Sequence, residues 1–425
     1  MAGTNAQTLA LQLEKVRDKV ALAFEQDSML HGLIQERGDA EIVSSRNMRL
    51  PLALTPGGKA GAYSPDGGDL GRGSMTAYDF AQISPQYFRI AVEINTQVKY
   101  ATDSREKAIE NAIKRELSSS LAQFKLFMDT ILQGSGNGVI GTVSSVSTNV
   151  LTMSVPSGAA LVYDGQVVGV YDTTLATYRG SATVVAHDPV SSTQTITLDA
   201  APGGTTGTDV LVYDGLGGVA SPVGIFGLKY HQNNAKTGTW MGLNKATYAT
   251  QLSTPSVNAS NSALVPSHIR LAFNLIRKAL GINAELGKTR KPNLIGYGAV
   301  EQEHAYENLG INSSQVIKEG AGGRADSYDG LFTGNLTMSG VPFKPSIHAD
   351  QTRIDFLDLS HWGRAVSKEI GLFEDGEGKT VFPVYGASGG IAAANLFYYD
   401  LGENIWLDNP RMGSYIYSLG RPSGY

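Results

Sequence analysis

The pattern of apolar and polar positions divides the chain into stretches of different period. Between Ser104 and Gln133 the apolar residues Ile109, Ile113, Leu117, Leu121, Phe124, Met128 and Ile131 recur at steps of three or four. That spacing makes one stripe at 3.6 residues per turn. Asp103 with Glu106 three residues later is a capping-box start, Glu110 and Lys114 stand at i, i+4, and Gly134 offers a left-handed stop. One helix of about 30 residues is predicted, roughly 45 Å long at ~1.5 Å per residue. Upstream, Phe88, Ile90, Val92, Ile94, Val98 and Tyr100 alternate with polar residues, the period of a half-buried strand, and 41–54 reads as its weaker partner strand. Between the two, 55–83 carries Gly57, Gly58, Gly61, Gly67, Gly68, Gly71 and Gly73 with Pro56 and Pro65, and almost no large aliphatic side chains. Such a stretch makes no core of its own, and a neighbouring subunit is the simplest thing to order it.

Leu9, Leu13, Val16, Val20 and Phe24 form a helical stripe on an otherwise charged segment, so the first 37 residues read as an amphipathic arm that lies on the rest of the molecule or on a neighbour. After the long helix, 139–215 turns to Val, Thr, Ser, Gly and Asp, with alternating runs at 142–146, 166–171 and 193–198. Turn clusters separate these runs, the signature of a small β-barrel or sandwich. Leu-Val-Tyr-Asp-Gly occurs at 161–165 and again at 211–215, read as equivalent strand ends in an inserted domain. The pattern then becomes mixed. Ile269, Ala272, Phe273, Ile276 and Leu280 predict a helix over 267–280, ended by Gly281; 293–297 reads as a strand and 299–309 as a second helix. Val341-Pro342-Phe343-Lys344-Pro345 reads as a turn leading into a strand at 354–359, with further strands at 380–385 and 391–400 and a closing run at 409–419.

Composition narrows the functional classes. The 425 residues suffice for two or three domains, and 42% hydrophobic content is that of a chain with real cores. A net charge of −5 and a pI near 5.8 argue against a surface built to grip nucleic acid, so contact with DNA is expected to be weak and non-specific. There is no cysteine, hence no disulfide and no thiolate chemistry. The N-terminus lacks a basic region and no apolar run reaches 18 residues, so neither a signal peptide nor a membrane span is expected. The chain starts at Met1, and no removed pro-segment is expected.

Chemical motifs are few. Gly386-Ala387-Ser388-Gly389-Gly390 matches G-x-S-x-G after an apolar strand, but a nucleophile elbow of the α/β-hydrolase type needs a later histidine, and the last one is His361. Gly134–Gly138 follows a helix and lacks the lysine of a phosphate loop. Glu301 and His304 share a helix face at i, i+3 without the second copy a di-metal site needs. No catalytic, cofactor or metal residue is assigned. Asn258, Asn312 and Asn335 fit glycosylation sequons by chance.

The order of arm, glycine-rich hairpin, long helix, α/β region with two peripheral helices and returning C-terminal strands resembles the major capsid proteins of tailed double-stranded DNA bacteriophages, the HK97-like fold. Lys291-Pro292-Asn293-Leu294-Ile295 before the helix holding Glu301–Tyr306 resembles the family's axial-domain strand and helix. Gly340-Val341-Pro342 with Phe356-Leu357-Asp358-Leu359-Ser360 and Trp362 is similar to its strand pair, and Asn409-Pro410-Arg411 to its C-terminal segment. The resemblance covers everything except 139–215. It implies an α+β fold: an N-terminal arm (1–40), an extended loop hairpin with peripheral strands (41–102), the spine helix (103–138), an inserted all-β domain (139–215), an axial domain (216–380) and returning strands (381–425). The function it implies is that of a non-enzymatic structural subunit self-assembling into the hexamers and pentamers of an icosahedral capsid. Its implied partners are copies of itself, a separate scaffolding protein, a portal, a decoration protein and the enclosed double-stranded DNA, in a virion assembled in the host cytoplasm, with no membrane. Inter-subunit contact candidates are Lys59, Tyr63, Arg72, Met75 and Tyr78 of the loop and Leu13, Val20 and Phe24 of the arm. Lys59 is the loop's only lysine; with no acceptor asparagine or catalytic glutamate to pair with it, it reads as solvated rather than crosslinked. An encapsulin-like shell of the same fold, a serine hydrolase using Ser388 and a fibre protein are the alternatives.

Overall fold

Alternation of apolar and polar residues builds most of this molecule. The computed structural model describes residues 29–35, 41–44, 47–55, 57–58, 61, 72–95, 120–154, 158–189, 193–216, 224–281, 294–317, 337–338, 340–385 and 389–422. A short helix α1 (Met29–Leu33) precedes strands β1 (Glu41–Ser44), β2 (Asn47–Thr55), β3 (Ala77–Ile83) and β4 (Gln86–Asn95). The expected pairing of 41–54 with the strand at 88 is not found. β2 pairs with β3 in an antiparallel hairpin, with β1 on its other side, and β4 belongs to another sheet. The stretch 55–83 is therefore shorter as a loop than its composition implied, because 77–83 is strand.

Helix α2 is described over 120–132, with Leu121, Phe124, Met128 and Ile131 buried as the stripe requires; the expected portion 103–119 lies outside the described residues. The stop differs in detail from expectation. Gly134 is not left-handed, and the first positive-φ glycine after the helix is Gly136, at φ 85°. Strands β5 (Val139–Ser147), β6 (Val150–Met153), β7 (Val167–Tyr171), β8 (Tyr178–Asp188), β9 (Thr195–Leu198) and β10 (Val210–Tyr213) close into a six-stranded antiparallel barrel. Its interior holds Val143, Leu151, Val168, Val170, Val184, Ile196, Leu198 and Leu211, as closure demands of inward alternate positions. The two Leu-Val-Tyr-Asp-Gly copies are not equivalent strand ends: Leu211–Tyr213 is strand, whereas Ala159–Leu161 is a 3₁₀ turn. They meet instead, Tyr213 Oη donating to Leu161 O at 3.2 Å.

The barrel's entry and exit lie side by side, with Tyr213 N donating to Gly138 O and Gly224 N to Gly136 O. After it come α3 (Leu228–His231), the two-residue pair β11 (Thr239–Trp240) and β12 (Leu243–Asn244), β13 (Ser256–Ser262) and α4 (Pro266–Leu280). Proline at the start and Gly281 at φ 67° bound α4 as expected. Then follow β14 (Leu294–Ala299), α5 (Val300–Ile317), β15 (Thr337–Met338), β16 (Val341–Ser346), β17 (Ile354–Asp358), β18 (Trp362–Leu372), β19 (Phe382–Tyr385), β20 (Ile391–Leu407) and β21 (Ser414–Leu419). The expected turn at 341–345 is strand β16. β15 covers only Val341 and Pro342, so most of β16 runs along an edge, where proline is tolerated.

One sheet has the order β13-β21-β17-β14-β16-β15. In the other, the 17-residue β20 runs down the middle, with β4 along one side and β18 and β19 sharing the opposite side. Strands from 216–380 thus serve both sheets, β18 leaving the six-stranded sheet for that of β4. α2 packs on the β4 sheet through Phe88 and Phe127, and Phe127 meets Tyr213 of the barrel edge-on at 5.5 Å.

Candidate functional site

The β2–β3 hairpin has two unlike faces because its register sets like side chains opposite one another. Met48 faces Ile83, and Leu50 faces Ala81, all buried. On the other face Pro51 lies opposite Phe80 and Ala53 opposite Tyr78. Tyr78 is 72% exposed, Phe80 54% and Met75 93%. Large apolar side chains left bare on one strand face and its continuation make this a candidate contact surface. The base of the hairpin is fixed: Gln82 N donates to Met241 O at 2.7 Å, and Asn404 Nδ2 to Ser84 O at 2.7 Å. Toward its tip Gly58 N donates to Ser74 O at 2.7 Å and Ser74 Oγ to Gly58 O at 2.9 Å, so the pairing runs beyond the strands.

Of the contact candidates, Arg72, Met75 and Tyr78 fall on this arm and are exposed. Lys59, Tyr63, Leu13, Val20 and Phe24 lie outside the described residues. Phe80 and Pro51 are not among the sequence candidates: Phe80 lies in the stretch 55–83, whose glycine content hides the step-two spacing of Tyr78, Phe80 and Gln82, and Pro51 lies in the strand 41–54, where proline gives no sign of a contact face.

Polar joints tie α2 to α1 and to the six-stranded sheet, and α1 to β20. Asp129 accepts from Leu30 N at 3.2 Å, and its other oxygen lies 2.6 Å from His348 Nδ1. Gln133 Nε2 donates to Tyr297 Oη of β14 at 2.6 Å, and burial pushes the Tyr297 hydroxyl pKa far up. His31 Nε2 stands 2.7 Å from Glu403 Oε1, both fully buried beside Arg364. In the six-stranded sheet Arg353 forks onto Asp355 at 2.7–3.0 Å, donates to Gln232 O at 2.7 Å and lies over the Tyr415 ring at 4.0 Å. Burial alone would raise the nearby Asp350 carboxyl, but Lys229 at 2.7 Å holds it down at about 2. Joints of this type fix geometry more than they add stability.

The chemical motifs of the sequence fall as follows in the structure. Ser388 lies outside the described residues, and His361 is engaged with Asp408 at 2.6 Å. Glu301 accepts from Gln351 Nε2 at 2.6 Å. Among the described residues no group of three or more His, Asp or Glu could hold a metal, and no helix is long and apolar enough to cross a membrane. A cleft of about 420 Å³ between Tyr87, Arg89, Phe373, Tyr398 and Asp400 opens on the β4 sheet.

No protein-family model and no curated protein matches the sequence. Solved structures do match. The capsid asymmetric unit of cyanophage A-1(L) aligns over 92% of this chain and 93% of that one, at 13% identity and a TM-score of 0.50. Mycobacterium phage Bobi aligns over 91% and 88% at 9% identity with a TM-score of 0.42. The holo-SrpI encapsulin complex from Synechococcus elongatus PCC 7942 aligns over 82% and 80% at 8% identity with a TM-score of 0.36. The cyanophage match spans nearly the full length of both chains, and the chain accordingly has the α+β HK97-like capsid fold.

Proposed function

We propose that the protein is the structural subunit of an icosahedral bacteriophage shell, assembling into hexamers and pentamers around a double-stranded DNA genome. Fold alone does not assign function. The observation that carries the reading is the bare apolar face of the hairpin, Tyr78, Phe80 and Pro51 with Met75 beyond them, projecting from a rigidly anchored base. A folded chain gains nothing by holding that face to water; on a neighbouring copy it is buried. Arms of this kind spread contact over adjacent subunits, and many modest interfaces sum to a stable shell.

In this reading 41–102 supplies the extended loop and peripheral strands, 103–138 the spine, 139–215 an inserted domain, 216–380 most of the axial domain and 381–425 the returning strands. The arm at 1–40, with Leu13, Val20 and Phe24, lies on a neighbour, as do Lys59, Tyr63 and Arg72. A separate scaffolding protein, a portal and a decoration protein complete the assembly in the host cytoplasm, and the product is a virion capsid without enzymatic activity.

The test is a Tyr78→Asp/Phe80→Asp double variant compared with wild type by electron microscopy and nuclease-protected DNA. Wild type closes shells over DNA; the variant stays folded but open or unassembled. Shells filled with protein cargo and no DNA would favour the encapsulin reading, and normal assembly of the variant would remove the hairpin's role.

A further inference from the structure

Charge is segregated along this chain. The segment 266–291 holds Arg270, Arg277, Lys278, Lys288, Arg290 and Lys291 against the single acid Glu285, in a chain of net charge −5. Within it, α4 contains no acidic residue, and Arg270, Arg277 and Lys278 are all exposed. None of the three forms an ion pair among the described residues. α5 shows the converse. Glu303 and Glu307 stand at i, i+4, half-buried, an arrangement that is unfavourable in an isolated helix; His304 lies beside Glu303, and neither carboxylate has a lysine or arginine ion pair among the described residues. Burial pushes the Glu303 carboxyl up and Glu307 adds to it, with His304 pulling the other way. Glu301 is set apart by its bond to Gln351.

The two helices serve different parts of one sheet. α4 packs against β13 and β21, and α5 against β14 and β16; the order β13-β21-β17-β14-β16-β15 places these strand pairs toward opposite ends. Two unlike patches of opposite sign make a heterologous, head-to-tail contact possible, and such contacts repeated around an axis close rings. Copies of an acidic chain repel unless their contact faces are matched in sign.

We infer that the basic face of α4 docks on the Glu303/Glu307 face of α5 in the next copy around each capsomer, so that a charge-matched head-to-tail contact sets the ring. The inference rests on the shell reading above and names the contact partner within it.

The test is a charge exchange in the full chain. Arg270→Glu/Arg277→Glu makes both helices acidic, and Glu303→Lys/Glu307→Lys makes both basic. Each double variant is expected to yield at least about tenfold fewer closed particles than wild type, most severely at low salt where repulsion is unscreened. The fourfold variant carrying both exchanges restores the opposite signs and is expected to recover assembly. That recovery also answers the objection that a double variant merely misfolds. The inference is overturned if either double variant assembles as wild type does, or if the fourfold variant assembles no better than the doubles. It is also overturned if the α4 variant closes shells normally but protects less DNA, which would make α4 a nucleic-acid surface. Failure of the wild type to form shells would reject the shell reading itself, and this contact with it.

Discussion

His231 offers a perturbation whose size follows from its surroundings. The ring is fully buried, edge-on to Phe226, Tyr230, Trp240 and Trp362 at centroid distances of 5.2–6.0 Å. Its Nε2–H donates to Ile405 O at 3.1 Å. Burial pushes its pKa down to about 3, with Lys245 opposing protonation as well. In the unfolded chain the same group titrates near ~6.5. Between those values the unfolded state binds a proton that the native state refuses, so this group's share of stability falls as pH falls. At about pH 4.5, two units below the unfolded value, the loss is ~2.7 kcal/mol at ~1.36 kcal/mol per unit. His231→Phe keeps the aromatic packing and abolishes the titration, while leaving Ile405 O without its donor, at a cost of about 1 kcal/mol near neutral pH. Urea unfolding of the unassembled subunit measures both. The variant should be less stable than wild type at about pH 7 and more stable at about pH 4.5. A stability difference that stays constant between the two would refute the buried, neutral histidine.

Three further outcomes follow from packing. A Cβ at Gly363 would enter the Trp406 ring, its cross-strand partner, so Gly363→Ala should destabilise by ~1–3 kcal/mol in a thermal melt. Asp355→Ala removes the carboxylate that the buried Arg353 guanidinium forks onto, leaving Gln232 O, the Tyr415 ring and the more distant Asp350; denaturant unfolding should show a loss of ~3–5 kcal/mol. Replacing 139–215 by a short glycine-serine linker should leave a folded subunit, because the barrel's two ends adjoin, with modest destabilisation from uncovering Phe127; circular dichroism and a melt decide.

Elements whose apolar stripe is strong were readable in the sequence. α4, β4 and the buried positions of α2 follow from spacing alone, as do three strands of the barrel. β3 was hidden because Ala-Tyr-Asp-Phe-Ala-Gln-Ile puts its largest side chains on the outer face, where a contact surface inverts the usual pattern. β16 was hidden by two prolines that an edge position tolerates. The polar joints could not be read at all: His348 and Asp129 are 219 residues apart, His31 and Glu403 372. Nothing in local sequence marks a histidine as the partner of one particular carboxylate.

The central claim is that this chain closes shells and lays its hairpin on a neighbour. Cryo-electron microscopy of the particles formed by the full chain tests it most directly. The expected result is closed icosahedral particles built of hexamers and pentamers, with Tyr78 and Phe80 buried against an adjacent copy and DNA protected inside. A soluble monomer, or shells in which Tyr78 and Phe80 remain exposed to solvent, would contradict it.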